Sequence, residues 1–428
     1  MRRFGGLTLR GQSFLVGAVA AASCEYWMSQ PTLVRIALLL AALPLVCALV
    51  VRTAKQSIAC TRVIEPARVP AGDDARVTLH LENASLVPTG LLLAEDTLPR
   101  GMSARPRFVI DRLDPRGKRD VFYQVRSQVR GRYRIGPLTL RVTDPFGMCE
   151  VSKAFPGTVD LIVIPVVEQL PVVLLGGEWT GSNDSHPSSI PSAGEDDIGT
   201  REYRHGDPLH RVHWRSTARR GELMVRREEH PRQSRATILL DARSGAHHGE
   251  GKHSSLEWGV SAAASLAVHL TRREFTLRVL NENGNGLAGL SSEIIAPLPD
   301  VEGLLLDALA VLEATATPSL REAGLTLGRS ADGLVIAVLG SLSRQDASDL
   351  SHRRQGTTTA IALLLRTETW VGVTPDAAAE TEFQHNVALL RNVGWRVVVV
   401  RAGDRLPDLW PLAARTGTAA DGRSSVPA

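Results

Sequence analysis

Arginine residues are concentrated between Arg201 and Arg232. This stretch holds nine Arg against five Asp and Glu, a surplus of four that equals the formal net charge of +4 for all 428 residues. Clustered guanidinium groups bind anions, such as an acidic protein or lipid headgroups, unless they form a solvated helix face paired with nearby carboxylates. Tyr203 and Trp214 are the only aromatic residues among these cations. Nucleic acid is therefore not expected as a partner.

A second group of reactive residue types follows the apolar run that ends at Asp241. Asp241, Ser244 and His247 are the types that a hydrolase uses, but no G-x-S-x-G sequence surrounds the serine. Three residues this close in one loop rarely reach triad geometry. The chain also lacks the G-x-x-x-x-G-K-[ST] sequence of ATP-binding loops. We therefore expect no enzymatic activity.

Histidines raise the question of a metal site. His210 and His213 are three residues apart on a predicted helix, a spacing at which both can face one ion. No further ligand cluster is evident nearby, so polar surface histidines are the favoured interpretation. The same interpretation applies to the others in this region, which are His205, His230, His247, His248 and His253.

Local signals predict the elements that hold the arginine block. Asp207 and Pro208 predict a helix start, because a carboxylate caps free N–H groups and Pro fits the first turn. Gly221, which follows two arginines, predicts the helix end. Trp214 is expected to pack against a sheet, and residues 222–226 are predicted as a strand.

Apolar runs and helical patterns alternate through the C-terminal half. Strands are predicted at 236–241, 275–280, 333–339, 360–365 and 394–400, and helices at 256–270, 301–313 and 377–391. Such continuous apolar strands are typical of a parallel sheet covered by helices on both faces. Ligands bind beyond the carboxyl ends of these strands, which puts Asp241–Gly245 at the expected site.

Short alternating runs between residues 61 and 165 predict a different kind of module. Strands are predicted at 75–82, 90–95, 120–125, 132–135 and 138–142. Several short strands at this spacing indicate an immunoglobulin-like sandwich of about 100 residues. A spacer or docking role is favoured over a catalytic one.

The N-terminal region contains two apolar segments, 14–24 and 33–51. They predict a two-helix anchor in a lipid bilayer. Arginine and lysine flank the pair, so both ends and the bulk of the chain are expected on the cytoplasmic side. One alternative is a signal peptide with a lipoprotein-like cleavage site before Cys24, which would put the chain outside. Another is a pair of buried core helices.

Composition adds few constraints. Apolar residues make up 43% and charged residues 22% of the chain, as in ordinary globular proteins. The four cysteines have no C-x-x-C spacing, which excludes a disulfide scaffold and a zinc ribbon. A Cys60–Cys149 disulfide is possible in principle, but a cytoplasmic location favours reduced thiols.

Together these features resemble the domain-of-unknown-function-58 family of bacterial membrane proteins, whose C-terminal part is a von Willebrand factor A-like domain. The β module matches in Arg130–Tyr133 and Asp144–Gly147. The resemblance implies partnership with a MoxR-type AAA+ ATPase in protein maturation or envelope functions, without an established catalytic activity. The partner-binding signature comprises Arg201, Tyr203, Gly206, Asp207, Trp214, Arg215, Arg219 and Arg226.

One loop departs from the resemblance. Von Willebrand A domains that bind Mg²⁺ use Asp-x-Ser-x-Ser after the first strand, where this chain has Arg243 and Gly245 at the serine positions following Asp241. Leu339–Ser341, after a later strand, supplies no acid. Lost oxygen ligands and an added cation both oppose a divalent ion. Asp241, Arg243 and Ser244 are therefore interpreted as a degenerate metal-site loop, and no cofactor is expected.

The sequence thus predicts an α+β multidomain protein. The predicted regions are a two-helix membrane anchor (1–55), a β-sandwich (56–165), a linker (166–200), the signature helix with a von Willebrand A-like domain (201–412) and a disordered tail (413–428). The expected function is that of a non-enzymatic membrane scaffold or adaptor. The alternative is an outward-facing, metal-dependent adhesion module.

Overall fold

The computed structural model divides the chain into two compact units. It describes residues 6–28, 31–86, 88–89, 91–102, 106–144, 146–173, 200–203, 212, 214–226, 235–287, 301–329, 333–351 and 359–414. The first unit comprises Met1–Val167 with Glu250–His253 and Leu306–Glu313. The second comprises Glu168–Gly249, Ser254–Leu305 and Ala314–Ala428.

Two helices begin the first unit, α1 (Leu9–Met28) and α2 (Pro31–Ser57). Both predicted apolar segments lie within them. Among the described helices only α2 is long and apolar enough to cross a membrane, over the 19 residues Pro31–Leu49 with a mean hydropathy of 2.4. Only 17% of that window is buried, which is unlike a core helix. The two predicted spans therefore reduce to one candidate span, with α1 beside it.

The described part of the first unit also contains ten strands. They are β1 (Ile58–Glu65), β2 (Arg68–Pro70), β3 (Asp74–Asn83), β4 (Leu91–Asp96), β5 (Arg107–Ile110), β6 (Lys118–Arg126), β7 (Gly131–Ile135), β8 (Leu138–Thr143), β9 (Glu150–Phe155) and β10 (Val159–Ile164). They build sheets in the orders β1-β3-β6, β5-β4-β8-β9 and β2-β10-β7. Side chains from all three sheets bury one shared apolar core, as alternating strands with one apolar face require.

Two signature segments of the β module have structural roles in this unit. The Arg130 side chain is buried, and its Nε donates to the carbonyl oxygen of Leu309 at 2.9 Å. The Asp144 carboxylate accepts a hydrogen bond from the N–H of Phe146 and shapes the turn between β8 and β9. These contacts explain why charged residues interrupt an otherwise alternating pattern.

The second unit contains a five-stranded parallel sheet. Its strands are β13 (Arg235–Leu240), β14 (Thr276–Leu280), β15 (Leu334–Leu339), β16 (Thr359–Leu365) and β17 (Trp395–Val400), in the order β14-β13-β15-β16-β17. All five were predicted within two residues at either end. Their nearly uninterrupted burial confirms the prediction of a C-terminal parallel sheet.

Helices cover both faces of this sheet. They are α4 (Ser255–Thr271), α6 (Arg321–Arg329), α7 (Arg344–Ser351), α8 (Ala377–Asn392) and α9 (Leu406–Ala414). Helix α5 (Val301–Ala310) is divided, because its residues from Leu306 belong to the first unit. Leu350 of α7 and Leu390 of α8 pack on one face. On the other, Gly259 of α4 lies against Val338 and Leu240. The sequence did not predict α6, α7 or α9.

The arginine block forms a small separate element of the second unit. β11 (Thr200–Glu202) pairs antiparallel with β12 (Met224–Arg226), and α3 (Trp214–Arg220) lies between them in the chain. Gly221 has a φ of 76° and its N–H donates to the carbonyl of Thr217, as predicted for a helix end. The predicted helix start at Asp207 and Pro208 lies outside the described residues.

Candidate functional site

The strand order of the parallel sheet marks a position for a ligand. In chain order the strands run 2-1-3-4-5, so the direction of winding reverses between β13 and β15. Ligands of doubly wound sheets bind beyond the carboxyl ends of the strands at this reversal. Asp241 directly follows β13, and Gly340 and Ser341 directly follow β15. The predicted loop therefore flanks the expected crevice.

Three charged side chains are buried at this position. Asp241, Arg243 and Asp346, which we call the edge triad, have exposures of 0%, 5% and 2%. Arg243 Nε and Nη2 donate to the two carboxylate oxygens of Asp241, both at 2.9 Å. Its Nη1 donates to Asp346 Oδ2, also at 2.9 Å. One guanidinium therefore bridges the loop after β13 and helix α7.

Other groups satisfy the remaining oxygens of the triad. Gly340 N–H donates to Asp241 Oδ2 at 3.3 Å. Asp346 Oδ1 accepts the N–H of Leu320 at 2.9 Å, and its Oδ2 accepts the hydroxyl of Ser343 at 2.8 Å. Buried charges are tolerated when they are both paired and hydrogen-bonded in this way.

The triad shifts the titration of its own members. Burial alone would lower the pKa of the Arg243 guanidinium, but the hydrogen bonds and charges of Asp241 and Asp346 raise it above its ordinary value. Burial alone would raise the pKa of the Asp346 carboxyl, but the Leu320 N–H, the Ser343 hydroxyl and Arg243 lower it. Arg243 and Asp346 are therefore both charged at neutral pH.

The arrangement does not fit a divalent cation. The Arg243 guanidinium lies between the two carboxylates, where an ion would need their oxygens, while Ser244 is exposed. Within the described ranges, no group of three or more His, Cys, Asp or Glu residues is placed to hold a metal. Leu339–Ser341 supplies no acid, but Asp346 of α7 reaches the site from further along the chain.

A sequence signal for Asp346 exists in retrospect. Ser343 N–H donates to Asp346 Oδ2 at 3.2 Å, and Asp346 N–H donates to the Ser343 hydroxyl at 3.1 Å. This reciprocal pair is a capping box, whose pattern is Ser or Thr with an acidic or amide residue three positions later. The pattern would have predicted α7, although not that its acid points to a loop 100 residues earlier.

His247 is part of the same edge rather than a surface histidine. Its Nε2 lies 2.8 Å from the carbonyl oxygen of Asp241, and its Nδ1 lies 3.0 Å from the hydroxyl of Ser255. Since a carbonyl only accepts, Nε2 carries the proton and Nδ1 accepts from Ser255. The imidazole of His247 thus bonds to the backbone of Asp241 and to the hydroxyl of Ser255. It forms no hydrogen bond with the exposed Ser244.

Acidification should weaken the fold through His247. Burial lowers the pKa of the His247 imidazole, which the negative charge of Asp241 offsets only in part. Below the ordinary value of about 6.5, the unfolded chain takes up a proton that the folded chain resists, so stability falls with pH. Between pH 7 and pH 5.5 the thermal midpoint of the full-length chain should fall more than that of His247→Gln. Exposed His253→Gln is the control, and equal losses in all three proteins would contradict this assignment.

The signature segment presents a second feature, on α3. Trp214 is 67% exposed, which contradicts the prediction that it packs against a sheet. Arg215, Ala218 and Arg219 are exposed beside it. Because residues four apart are neighbours on a helix, Trp214 with Ala218 and Arg215 with Arg219 form one continuous surface, which we call the Trp214 face. It offers an aromatic ring flanked by cations.

The remaining signature residues are only partly described. The backbone of Arg201 and Arg226 lies in the paired strands β11 and β12, and Tyr203 is half-buried after β11 with its N–H bonded to the carbonyl of Leu223. Gly206 and Asp207 lie outside the described residues. So do His205, His210, His213 and His230, so the structure leaves the predictions about them as predictions.

Comparisons with known proteins agree with the resemblance noted in the sequence. Residues 199–315 match the model of the family described as "Protein of unknown function DUF58". A curated relative, the uncharacterised protein YeaD of Bacillus subtilis, is 25% identical over 254 residues, which cover 56% of this chain and 57% of YeaD. The chain thus spans little more than half of this relative's length.

Solved structures with local likeness are more distant. The CARDB domain of the PF1109 protein from Pyrococcus furiosus is 14% identical, with 26% of this chain and 90% of that chain covered and a TM-score of 0.19. The sporulation control protein Spo0M from Bacillus subtilis is 9% identical, with 25% and 49% covered and a TM-score of 0.15. TM-scores at this level do not establish a common fold.

Proposed function

We propose that this chain, whose residues 199–315 match the DUF58 family of unknown function, is a membrane-anchored adaptor that binds a partner protein without a metal ion. The observation that carries this proposal is the exposed Trp214 beside Arg215 and Arg219. Tryptophan and arginine are the residues most enriched at the energetic centres of protein interfaces. Trp214 combines a large aromatic surface with two adjacent cations, the combination that such energetic centres use.

The proposed partner is a MoxR-type AAA+ ATPase, which the family resemblance implies. Its contact surface would be acidic, since the Trp214 face carries two cations and lies in a block with a surplus of positive charge. The ATPase would supply the nucleotide chemistry, and this chain would supply location and recognition. We place the bulk of the chain in the cytoplasm, with α2 crossing the membrane and α1 paired with it.

The edge triad favours a binding role over catalysis or metal-dependent adhesion. The alternative, an outward-facing adhesion module, needs a divalent ion at the sheet edge. There Arg243 bonds to the carboxylates of Asp241 and Asp346. A hydrolase needs an accessible nucleophile joined to its base, whereas the serine that bonds to His247 is Ser255, which is fully buried. As part of this proposal we assign an immunoglobulin-like fold to the β unit, whose sheets share one apolar core. We assign a von Willebrand A-like fold to the α/β unit, on the basis of its five-stranded parallel sheet.

Truncating the central side chain of the Trp214 face tests the proposal. Full-length protein in lipid nanodiscs is titrated with a purified MoxR-type ATPase in EDTA-containing buffer without nucleotide. Trp214→Ala should weaken binding about 30-fold or more, equivalent to a hot-spot loss of about 2 kcal/mol. Phe122→Ala is the matched control, because Phe122 is an equally exposed aromatic residue, at 66%, on β6. No binding by the unmodified chain, or equal binding by the Trp214 variant, would refute the proposal.

A further inference from the structure

We propose that the turn between β8 and β9, of which residues 144 and 146–149 are described, is itself a membrane-contacting element that lies at the boundary between the lipid headgroups and the hydrocarbon, beside the start of α1. The inference rests on the membrane anchoring in the proposed function and adds a lipid-binding surface to the β unit. Its partner is a bilayer surface, recognised by an exposed aromatic ring and a nearby cation.

The chain before α1 is attached directly to this turn. Thr8 N–H donates to the carbonyl of Met148 at 2.8 Å, and Glu150 N–H donates to the carbonyl of Gly6 at 2.7 Å. The Thr8 hydroxyl donates to the carbonyl of Gly147 at 2.6 Å. These bonds add residues 6–8 to the edge of the sheet at β9. The first turn of α1 therefore starts at the level of the β8–β9 turn.

Helix α1 also approaches the turn closely. A Cβ atom on Gly11 would overlap the carbonyl oxygen of Met148, so glycine is the residue that permits this contact. Phe14, one turn further along α1, packs against the apolar core of the β unit. The helix therefore remains in contact with the β unit over its first two turns.

Helix α2 meets the same turn within its candidate span. The Cys149 thiol lies 3.6 Å from the carbonyl oxygen of Pro44. Leu43, Cys47 and Ala48 pack on the core of the β unit. The apolar span runs to Leu49, five residues beyond Pro44. At about 1.5 Å per residue, the turn touches α2 about 7 Å inside the end of that span.

The length of the span fixes the depth of the turn. A bilayer with a hydrocarbon core of about 30 Å needs about 20 apolar residues. The 19 residues of Pro31–Leu49 reach this length only if the part in contact with the β unit is included, because Pro31–Leu43 alone is about 20 Å long. A bilayer that covers the whole span therefore reaches the turn.

The exposed side chains near the turn suit this position. Phe146, at the tip of the turn, is 59% exposed, and Leu9, at the start of α1, is 75% exposed. Arg10 is exposed, and its Nη1 lies 3.5 Å from where a Cβ on Gly147 would be. Aromatic rings and arginine side chains are enriched at the membrane–water interface, and arginine also binds anionic headgroups.

Spin-label accessibility tests the inference on the full-length chain in nanodiscs. Nitroxide labels are placed by Phe146→Cys, by Phe122→Cys on β6 and by Val19→Cys on the exposed face of α1. Cys24 and Cys60 are changed to Ser, while Cys47 and Cys149 are 5% and 2% exposed and remain unlabelled. The label at 146 should lose the line broadening caused by a water-soluble nickel complex and gain broadening by oxygen. The label at 122 should retain the nickel broadening.

The labels at positions 19, 122 and 146 distinguish failure of the membrane anchor from failure of the membrane-contacting turn. Oxygen broadening at 19 with nickel broadening at 146 would overturn the membrane-contacting turn and leave the anchor intact. Nickel broadening at all three positions would overturn the anchor, and the turn with it. Oxygen broadening at 19 and 146, with nickel broadening at 122, supports the inference.

Discussion

Replacing Arg243 with Ala is expected to lower the free energy of unfolding by about 3–5 kcal/mol. The substitution leaves the carboxylates of Asp241 and Asp346 buried, with exposures of 0% and 2%, and removes their shared cation. Breaking a buried ion pair from one side costs this much because the remaining charge has no solvent to compensate it. Chemical denaturation of the full-length chain in detergent measures the loss.

Two further variants isolate the cause. Ser244→Ala changes the exposed neighbouring residue and should stay within about 0.5 kcal/mol of the unmodified protein. Adding Asp346→Asn to Arg243→Ala removes one of the two uncompensated charges and should restore part of the loss, which a merely steric role of Arg243 would not produce. An Arg243→Ala protein within 1 kcal/mol of the original would contradict the triad as described.

Gly340→Ala is expected to have the second largest effect, about 1–3 kcal/mol. A Cβ atom at this position would overlap the carbonyl oxygen of Ala246, which is backbone and cannot rotate away. The N–H of Ser341 donates to that same oxygen at 2.8 Å, so the two loops cannot separate without losing a hydrogen bond. The Gly340 N–H bond to Asp241 would be strained as well.

Gly245→Ala is the matched control for this variant. Gly245 lies in the facing loop, and no atom lies within 4 Å of a Cβ placed there. Its substitution should therefore leave the unfolding midpoint within the range of ordinary surface changes, about 0.5 kcal/mol. Equal midpoints for Gly340→Ala and Gly245→Ala would show that the loops after β13 and β15 are not packed as closely as described.

The sequence predicted best the elements whose burial is complete. The strands around Ile238, Ile336 and Leu363 are apolar almost throughout, because both faces of a parallel sheet are covered. Helix α4 was predicted for the same reason. Helices α6 and α7 were not, since their exposed faces make their composition polar. Strand β1 was missed because it continues directly from α2 at Ile58, without a Gly or Pro signal.

Site residues were predictable only where the signal was local. The position of Arg243, two residues after Asp241, predicted a cation in place of a metal ligand. The structure adds that Arg243 forms ion pairs with Asp241 and Asp346. Asp346 is 103 positions from Arg243, and no pattern within either segment links them. Trp214 was assigned to a core because large aromatic residues usually bury most of their surface. Trp214 is 67% exposed, which shows that the sequence of a helix does not reveal which of its faces remains uncovered by other elements.

Arg243 engages the carboxylates of both Asp241 and Asp346 at the sheet edge, and we expect this pairing to keep a divalent ion from binding there. Calorimetric titration of Mg²⁺ into the full-length chain, after extensive dialysis against EDTA, tests this claim most directly, with Asp241→Asn as the control for location. The account predicts no saturable binding tighter than about 1 mM, because both carboxylates are engaged by the guanidinium. Saturable sub-millimolar binding that Asp241→Asn abolishes would contradict it.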